Sequence, residues 1–398
     1  MLPPIEDRVR RTLTLWLNQN VARGTVQPPS EPFAIGTNQG PVRTENQDRV
    51  VVARLPKRGH VPPSYLGVLC DGMGGMAGGG QAAGLTVSSI ISSTLSSYNT
   101  GDAEAVLRHA AFRANTLVFE RLNGLGGAVV CAFLWSPGSL TILSVGDARI
   151  YGVRRDRTVE QLTVDDTLAG GLRSVGKEVI AGSESNKLLQ FVGMGSDMEP
   201  HVTRVHSNFG GLLVTSDGAH SVPRGVFEFI VSSAGTPKLM VSRLIEASLW
   251  AGGKDNATAL AFSFGSGAEQ IELNYGDDTH CEVWAPTGTL SLWTDEFANG
   301  PQVRKSSDNQ YLGVSLGVPR KSADSRPPKS DRSSKTKGVR KRWDKIGIEP
   351  ILGRTPPPDP IVSFPEAETD KAAILHETRT QADQPTDIDS GDIKKQER

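Results

Sequence analysis

Leu69-Cys70-Asp71-Gly72-Met73-Gly74-Gly75 carries an apolar stretch, residues 65–70, onto a carboxylate and turns directly after it. The stretch is short and bounded by turn residues, so it reads as a strand with an acid at its tip. A glycine beside that acid lets the chain turn sharply with no Cβ in the way. Three further aspartates, each next to a glycine or an amide residue, repeat the arrangement. They are Asp48 in Arg43-Thr-Glu-Asn-Gln-Asp48, Asp217 in Val214-Thr-Ser-Asp217-Gly, and Asp255 in Gly252-Gly-Lys-Asp255-Asn. Carboxylates gathered at strand tips repel one another and cost desolvation energy unless cations neutralise them. Hard divalent cations such as Mg²⁺ or Mn²⁺ take such oxygen ligands. The expected chemistry is metal-dependent hydrolysis.

Strand signals are dense from residue 33 to about residue 264. Residues 50–55, 65–70, 128–135, 140–145, 150–153, 212–215 and 257–264 are short, apolar or β-branched, and bounded by turn residues. Two longer segments, 81–98 and 102–122, have helical spacing, with Asp102 placed to cap the second. Strand pairs, then two consecutive helices, then more strands predict α+β layers and not a βαβ order.

The flanks differ. Residues 1–27 read as an amphipathic helix, with Ile5, Val9, Leu13 and Leu17 on one side, before Pro28-Pro29-Ser30 breaks the chain. Residues 271–283 and 289–293 suit one or two extra hairpins, packed on the core or forming a small module. Residues 320–342 are rich in Lys, Arg and Ser, and residues 355–398 in Pro, Thr, Asp and Glu. Both are too polar to offset the entropy of folding, so disorder is expected there. The organisation is a helix and linker over 1–30, a folded domain over 31–266, the hairpins over 267–300, and a low-complexity tail over 301–398.

Composition narrows the classes. A formal net charge of −1 over 398 residues gives no whole-protein field to recruit nucleic acid or a membrane. The basic segment 320–342 could bind nucleic acid, an anionic lipid surface or an acidic partner, although a solvated linker is the simpler reading. The 3 cysteines, Cys70, Cys131 and Cys281, are too widely spaced for a zinc motif and odd in number. They suit a reducing cytosol. No run approaches the roughly 20 apolar residues of a membrane span, and the N-terminus lacks a signal-peptide core. A cytoplasmic protein is expected.

The glycines after Asp71 are not a nucleotide loop, since no Lys-Ser or Lys-Thr follows and their spacing is not the dinucleotide fingerprint. Their company is more specific. Gly40-Pro-Val-Arg43 precedes Asn46-Gln47-Asp48, Ser144-Val-Gly-Asp147-Ala-Arg149-Ile-Tyr151 lies between two strands, and Leu162-Thr-Val-Asp165 ends another. With the Asp217 and Asp255 motifs, this series resembles the metal-dependent protein phosphatases, the PPM or type 2C family, in its bacterial form. The resemblance spans roughly residues 33–264.

The resemblance implies a four-layer α-β-β-α sandwich of two antiparallel sheets, with a metal centre at one end. It implies that Asp71 bridges two Mn²⁺ or Mg²⁺ ions and that the Gly72 carbonyl ligates one of them. Asp217 and Asp255 would bind the other ion, with Asp48 beside the pair. Asp147, with Asp217, matches the position of a third ion in bacterial members. A water shared by the pair would attack a phosphoserine or phosphothreonine in line, and Arg43 would grip the phosphate oxygens. Phosphorylated proteins, a cognate Ser/Thr kinase among them, would be the partners. Cys70 would then be a small buried residue and not a thiol nucleophile.

The chain also departs from the family. Gln47 stands where many members have Glu, and Met73 where eukaryotic members often carry His. Gly126-Gly127-Ala128 replaces a Gly followed by hydroxyl residues, Asp165-Asp166-Thr167 replaces Asp-His-Ser, and Ser221 replaces an acid. His220 reads as a rim residue. The Gly- and Ser-rich stretch 166–190 occupies the place of the family's flap, either a mobile lid or plain loop variation. Gln47 and the missing hydroxyls also leave open a pseudophosphatase that binds a phosphoprotein or kinase without turnover.

Overall fold

A computed structural model describes residues 4–56, 64–73, 78–98, 101–174, 187–206, 209–264, 280–293 and 315–316. The chain divides into Met1–Ser322 and Ala323–Arg398, and no residue of the second is described. Ser315 and Leu316 of the expected tail pair with residues 290 and 291, and the rest of that tail, its basic segment included, lies outside the described residues.

The elements run α1 (Pro4–Leu17), β1 (Arg23–Val26), β2 (Phe33–Asn38), β3 (Arg49–Arg54), β4 (Tyr65–Gly72), α2 (Gly79–Ser97) and α3 (Ala103–Leu122). Then come β5 (Ala128–Ser136), β6 (Ser139–Val145), β7 (Arg149–Arg154), β8 (Val159–Gln161), α4 (Leu168–Ser174), β9 (His201–Arg204) and β10 (Phe209–Thr215). The last are α5 (Asp217–His220), α6 (Arg224–Ser233), α7 (Pro237–Trp250), β11 (Ala257–Ser263), β12 (His280–Ala285), β13 (Gly288–Trp293) and β14 (Ser315–Leu316).

Among the described residues the strands form two wholly antiparallel sheets. One has the order β1-β2-β11-β10-β7-β8, the other β14-β13-β12-β3-β4-β5-β6-β9. The sheets stack because their strands are apolar on both faces. On β5, Val129, Cys131, Phe133 and Trp135 point between the sheets, while Val130, Ala132 and Leu134 point to the helices outside. That is the two-residue alternation of a strand with each face buried. β10 behaves likewise, with Leu212 and Val214 inward and Leu213 outward.

Helices α1, α2 and α3 cover the outer face of the eight-stranded sheet, and α5, α6 and α7 that of the six-stranded one. The result is the four-layer α-β-β-α sandwich. Phe33, Tyr65, Phe133, Trp135, Phe262 and Trp284 fill one part of the middle layer with edge and tilted ring contacts. Gly67 is required there, because a Cβ on it would sit 2.2 Å from Cε1 of Phe133.

The structure departs from the sequence expectation at the N-terminal helix and at two further helices, and decides between the two alternatives for the late hairpin. The N-terminal helix stops at Leu17, and residues 23–26, read as its continuation, form β1 against β2. Segments 224–233 and 237–250 are helices that the strand-rich pattern around them concealed. The hairpin β12–β13 extends the main sheet, since β12 pairs with β3. Arg54 on β3 fastens it by pairing with both Glu31 (2.6 Å) and Glu282 of β12. Tyr65 Oη also donates to Glu31, at 2.8 Å.

Helix α1 belongs to the core, because Val9, Leu13, Trp16 and Leu17 are buried with α2. Leu13→Ala should cost about 2–5 kcal/mol by urea denaturation. Leu15, 76% exposed, should change little on the same substitution. Equal, small effects at both positions would contradict the docking of this helix.

Candidate metal centre

Every candidate acid lies at one end of the sandwich, and strand register explains why. Asp48 immediately precedes β3, whose Arg49 pairs with Cys70, so Asp48 sits level with Asp71 at the tip of β4. Thr215 pairs with both Ala259 of β11 and Arg149 of β7. Asp217, Asp255 and Asp147 therefore leave their strands at that same end. Gly72 follows Asp71 where α2 crosses closely, and a Cβ there would meet the Gly79 carbonyl oxygen at 2.3 Å. Only glycine fits.

Two asparagines fix the acidic loops, and sequence reasoning did not single them out. Asn256 donates to the carbonyls of Gln39 (2.7 Å) and Glu45 (3.1 Å), and its Oδ1 accepts from the Gln47 amide at 2.8 Å. Asn46 donates to Thr37 Oγ1 and the Val21 carbonyl, and its Oδ1 accepts from the Asp48 amide at 3.1 Å. The available signal was an amide residue within two positions of an aspartate in each loop. Arg49 ties the loop to the N-terminal helix, donating through Nε to the Leu17 carbonyl at 2.5 Å and through Nη1 to Asn46 and Asp48 carbonyls at 2.8 Å.

The carboxylates act on one another. Burial, then the charges of Asp48, Asp217, Asp147 and Asp255, hold Asp71 well above the ordinary carboxylate range. Asp71 does keep some surface open, but protein crowds its other sides. Burial raises Asp48 to about 7, with Asp217 and Asp255 adding to it. Asp147 also rises to about 7, through burial first and then Asp217 and Asp165. In Asp217 burial again leads, followed by Asp255, while a hydrogen bond with Asp71 opposes the rise.

Both oxygens of Asp48 and Oδ1 of Asp217 are buried without a hydrogen-bond partner. The hydroxyls of Thr258 and Ser216 lie near enough to Asp48 to favour its charge, yet neither makes a well-formed bond to it. Asp255 is engaged instead. Its Oδ2 accepts from Arg43 Nη2 at 2.5 Å and its Oδ1 from the Asn256 amide at 2.8 Å. Among the described residues no three His, Cys, Asp or Glu side chains close on one point as a finished metal cage. They share a basin of negative charge without converging fully. Orphaned, buried, all-oxygen donors in such a basin fit hard divalent cations.

The departures have local causes. A Cβ on Gly127 would lie 2.4 Å from Met73 Cε and 2.5 Å from Phe191 Cδ2, so these side chains occupy the space a hydroxyl residue would take. Gln47 Nε2 donates to Glu45. Asp166 accepts from the Gly146 amide and pairs with His201, each at 2.8 Å. Ser221 Oγ donates to the Gly218 carbonyl at 2.9 Å. Within 166–190, residues 168–174 form helix α4, and 175–186 lie outside the described residues. His220 is held at Nδ1 by Thr215 Oγ1 (2.9 Å), and burial followed by Arg149 keeps its pKa well below the usual value. It lines a separate 650 Å³ pocket with Arg149, Tyr151 and Gln161. Cys70 is buried and its thiol pKa is pushed up by that burial, as suits an inert residue.

No protein-family model matches the chain. The serine/threonine protein phosphatase PstP of Mycobacterium tuberculosis is 28% identical over 300 residues, covering 72% of this chain and 54% of PstP. The chain thus spans about half the length of that relative. Among solved structures, the PPM Ser-Thr phosphatase MsPP of Mycobacterium smegmatis is 28% identical, with a TM-score of 0.50 over 58% of this chain and 98% of MsPP. The structure of M. tuberculosis PstP/Ppp is 25% identical, with a TM-score of 0.51 over 59% of this chain and 98% of that one. The similarity of this chain, in sequence and in fold, is to the PPM phosphatases in their bacterial form. In this chain the acidic end of the sandwich is assembled from five loops or strand tips far apart in sequence.

Proposed function

We propose that this protein is a metal-dependent serine/threonine protein phosphatase. The observation that carries the reading is the acidic basin itself: one buried and four part-buried aspartates, three of their oxygens orphaned, beside a half-exposed arginine. Asp71, the Gly72 carbonyl, Asp217, Asp255 and Asp48 would hold a pair of Mn²⁺ or Mg²⁺ ions, and Asp147 with Asp217 a third. Such ions, when bound, polarise phosphoryl oxygens and lower the pKa of a water nucleophile.

The chain's own residues supply the rest. Arg43 presents a planar fork that matches two phosphate oxygens. Its loop is fixed by Gln39, whose Nε2 donates to the Arg43 carbonyl at 2.7 Å. Burial of Asp48 and the crowding around Asp71 keep these carboxyls out of bulk water, which strengthens their hold on any cation that replaces a proton. Phosphoserine and phosphothreonine proteins are the proposed substrates, with a partner Ser/Thr kinase among them, at a cytoplasmic location. No helix of the described residues is long and apolar enough to cross a membrane.

The purified chain with Mn²⁺ should release phosphate from a phosphothreonine peptide, and EDTA should stop it. Saturable Mn²⁺ binding without any turnover would instead favour a pseudophosphatase.

A further inference from the structure

We infer that Arg43 and a divalent cation compete for Asp255, so that loading the cation is what releases Arg43 to the phosphate. The inference rests on the phosphatase reading above and concerns how its site is armed. Arg43 Nη2 donates to Asp255 Oδ2 at 2.5 Å, with the two side chains 37% and 31% exposed. The second oxygen of Asp255 takes the Asn256 amide. Asp255 thus has both oxygens engaged, while Asp48 has none and Asp217 keeps Oδ1 unpartnered.

One carboxylate oxygen cannot serve a guanidinium and a dication in the same place. A cation drawn to Asp255 by the surrounding charge must displace Arg43, whose loop anchor at Gln39 holds its backbone at the mouth of the basin. The released fork then faces solvent beside the acidic tips, where a phosphoryl group would lie. Two charges of one sign near each other and a phosphodianion between them complete a balanced cluster. Linkage makes the effect reciprocal: a ligand that draws Arg43 off Asp255 favours the cation, and the cation favours that ligand.

The test is a calorimetric titration of the chelator-stripped full chain with MnCl₂, using wild type, Arg43→Gln, Asp255→Asn and the double variant. Arg43→Gln should tighten Mn²⁺ binding about fivefold, the worth of a half-exposed ion pair. In the Asp255→Asn background the same change should have a clearly smaller effect, because only through-space repulsion remains. Arginine side-chain ¹⁵N signals provide a second readout. Arg43 should lose its hydrogen-bonded signature over the same Mg²⁺ range that saturates binding. Equal Mn²⁺ affinity in wild type and Arg43→Gln, or equal effects in both backgrounds, overturns the competition and leaves the phosphatase reading standing. A wild type that binds no Mn²⁺ overturns the metal reading, and this inference with it.

Discussion

Asp71→Asn is expected to lower phosphatase turnover by about 10²–10³-fold, the loss typical of deleting one preorganised electrostatic element. The same substitution should raise the melting temperature of the protein in EDTA. The two effects have one cause. Asp71 is the carboxyl that most others act on, with Asp48, Asp217, Asp147 and Asp255 all raising its pKa after burial. Without a cation, a charge there is desolvated and repelled from several sides, so an amide of the same shape relieves the fold. With a cation, that charge is what the site needs. A residue that mattered only for packing would lose activity and stability together. Activity against a phosphothreonine peptide and thermal melts in EDTA separate the cases, and a destabilised Asp71→Asn would contradict this account.

Stability in the presence of EDTA should fall as pH rises from about 4 to 7. Asp48 and Asp147 stand near 7 in the folded chain against an ordinary value of 3.8. Between those values the folded state keeps protons that the unfolded chain has released. Unfolding then releases protons, and raising the pH favours it. Each carboxyl contributes up to about 1.4 kcal/mol per pH unit across that window, and the loss is complete once pH passes 7. Saturating Mn²⁺ should flatten or reverse the slope, since cations bind the ionised form. Urea denaturation at several pH values, with EDTA or Mn²⁺, reads this directly. Stability that rises with pH in EDTA would refute the assignment of raised carboxyls.

Much of the fold was legible because its strands are buried on both faces. Residues 50–55, 65–70 and 128–135 are nearly continuous apolar runs, and each became a strand within two residues of the expected limits. Helix α3 was marked by its cap, Asp102, which accepts from the Glu104 amide. Helix α6 was hidden because Val226-Phe-Glu-Phe-Ile-Val231 has β-branched and aromatic residues that suit a strand equally well. Helix α7 did carry a signal, Thr236 capping the Leu239 amide with Pro237 in the first turn. The N-terminal helix was read too long because Gly24 and Thr25, which turn it into β1, were outweighed by the apolar spacing before them.

At the site, the aspartates announced themselves through local glycines and amides. The Arg43–Asp255 pair could not, since 212 positions separate its members and nothing local marks either as the other's partner. The partners of the asparagine clamps were hidden in the same way: Asn256 reaches Gln39 and Glu45, 217 and 211 positions away in sequence, because β11 pairs with β2.

The most direct measurement is Mn²⁺ calorimetry on chelator-stripped wild type beside Asp71→Asn. Tips of separate strands that share one negative basin should take up more than one ion per chain, and Asp71→Asn should bind fewer ions and more weakly. A wild type with no saturable uptake, or a variant that binds as its parent does, would contradict the account.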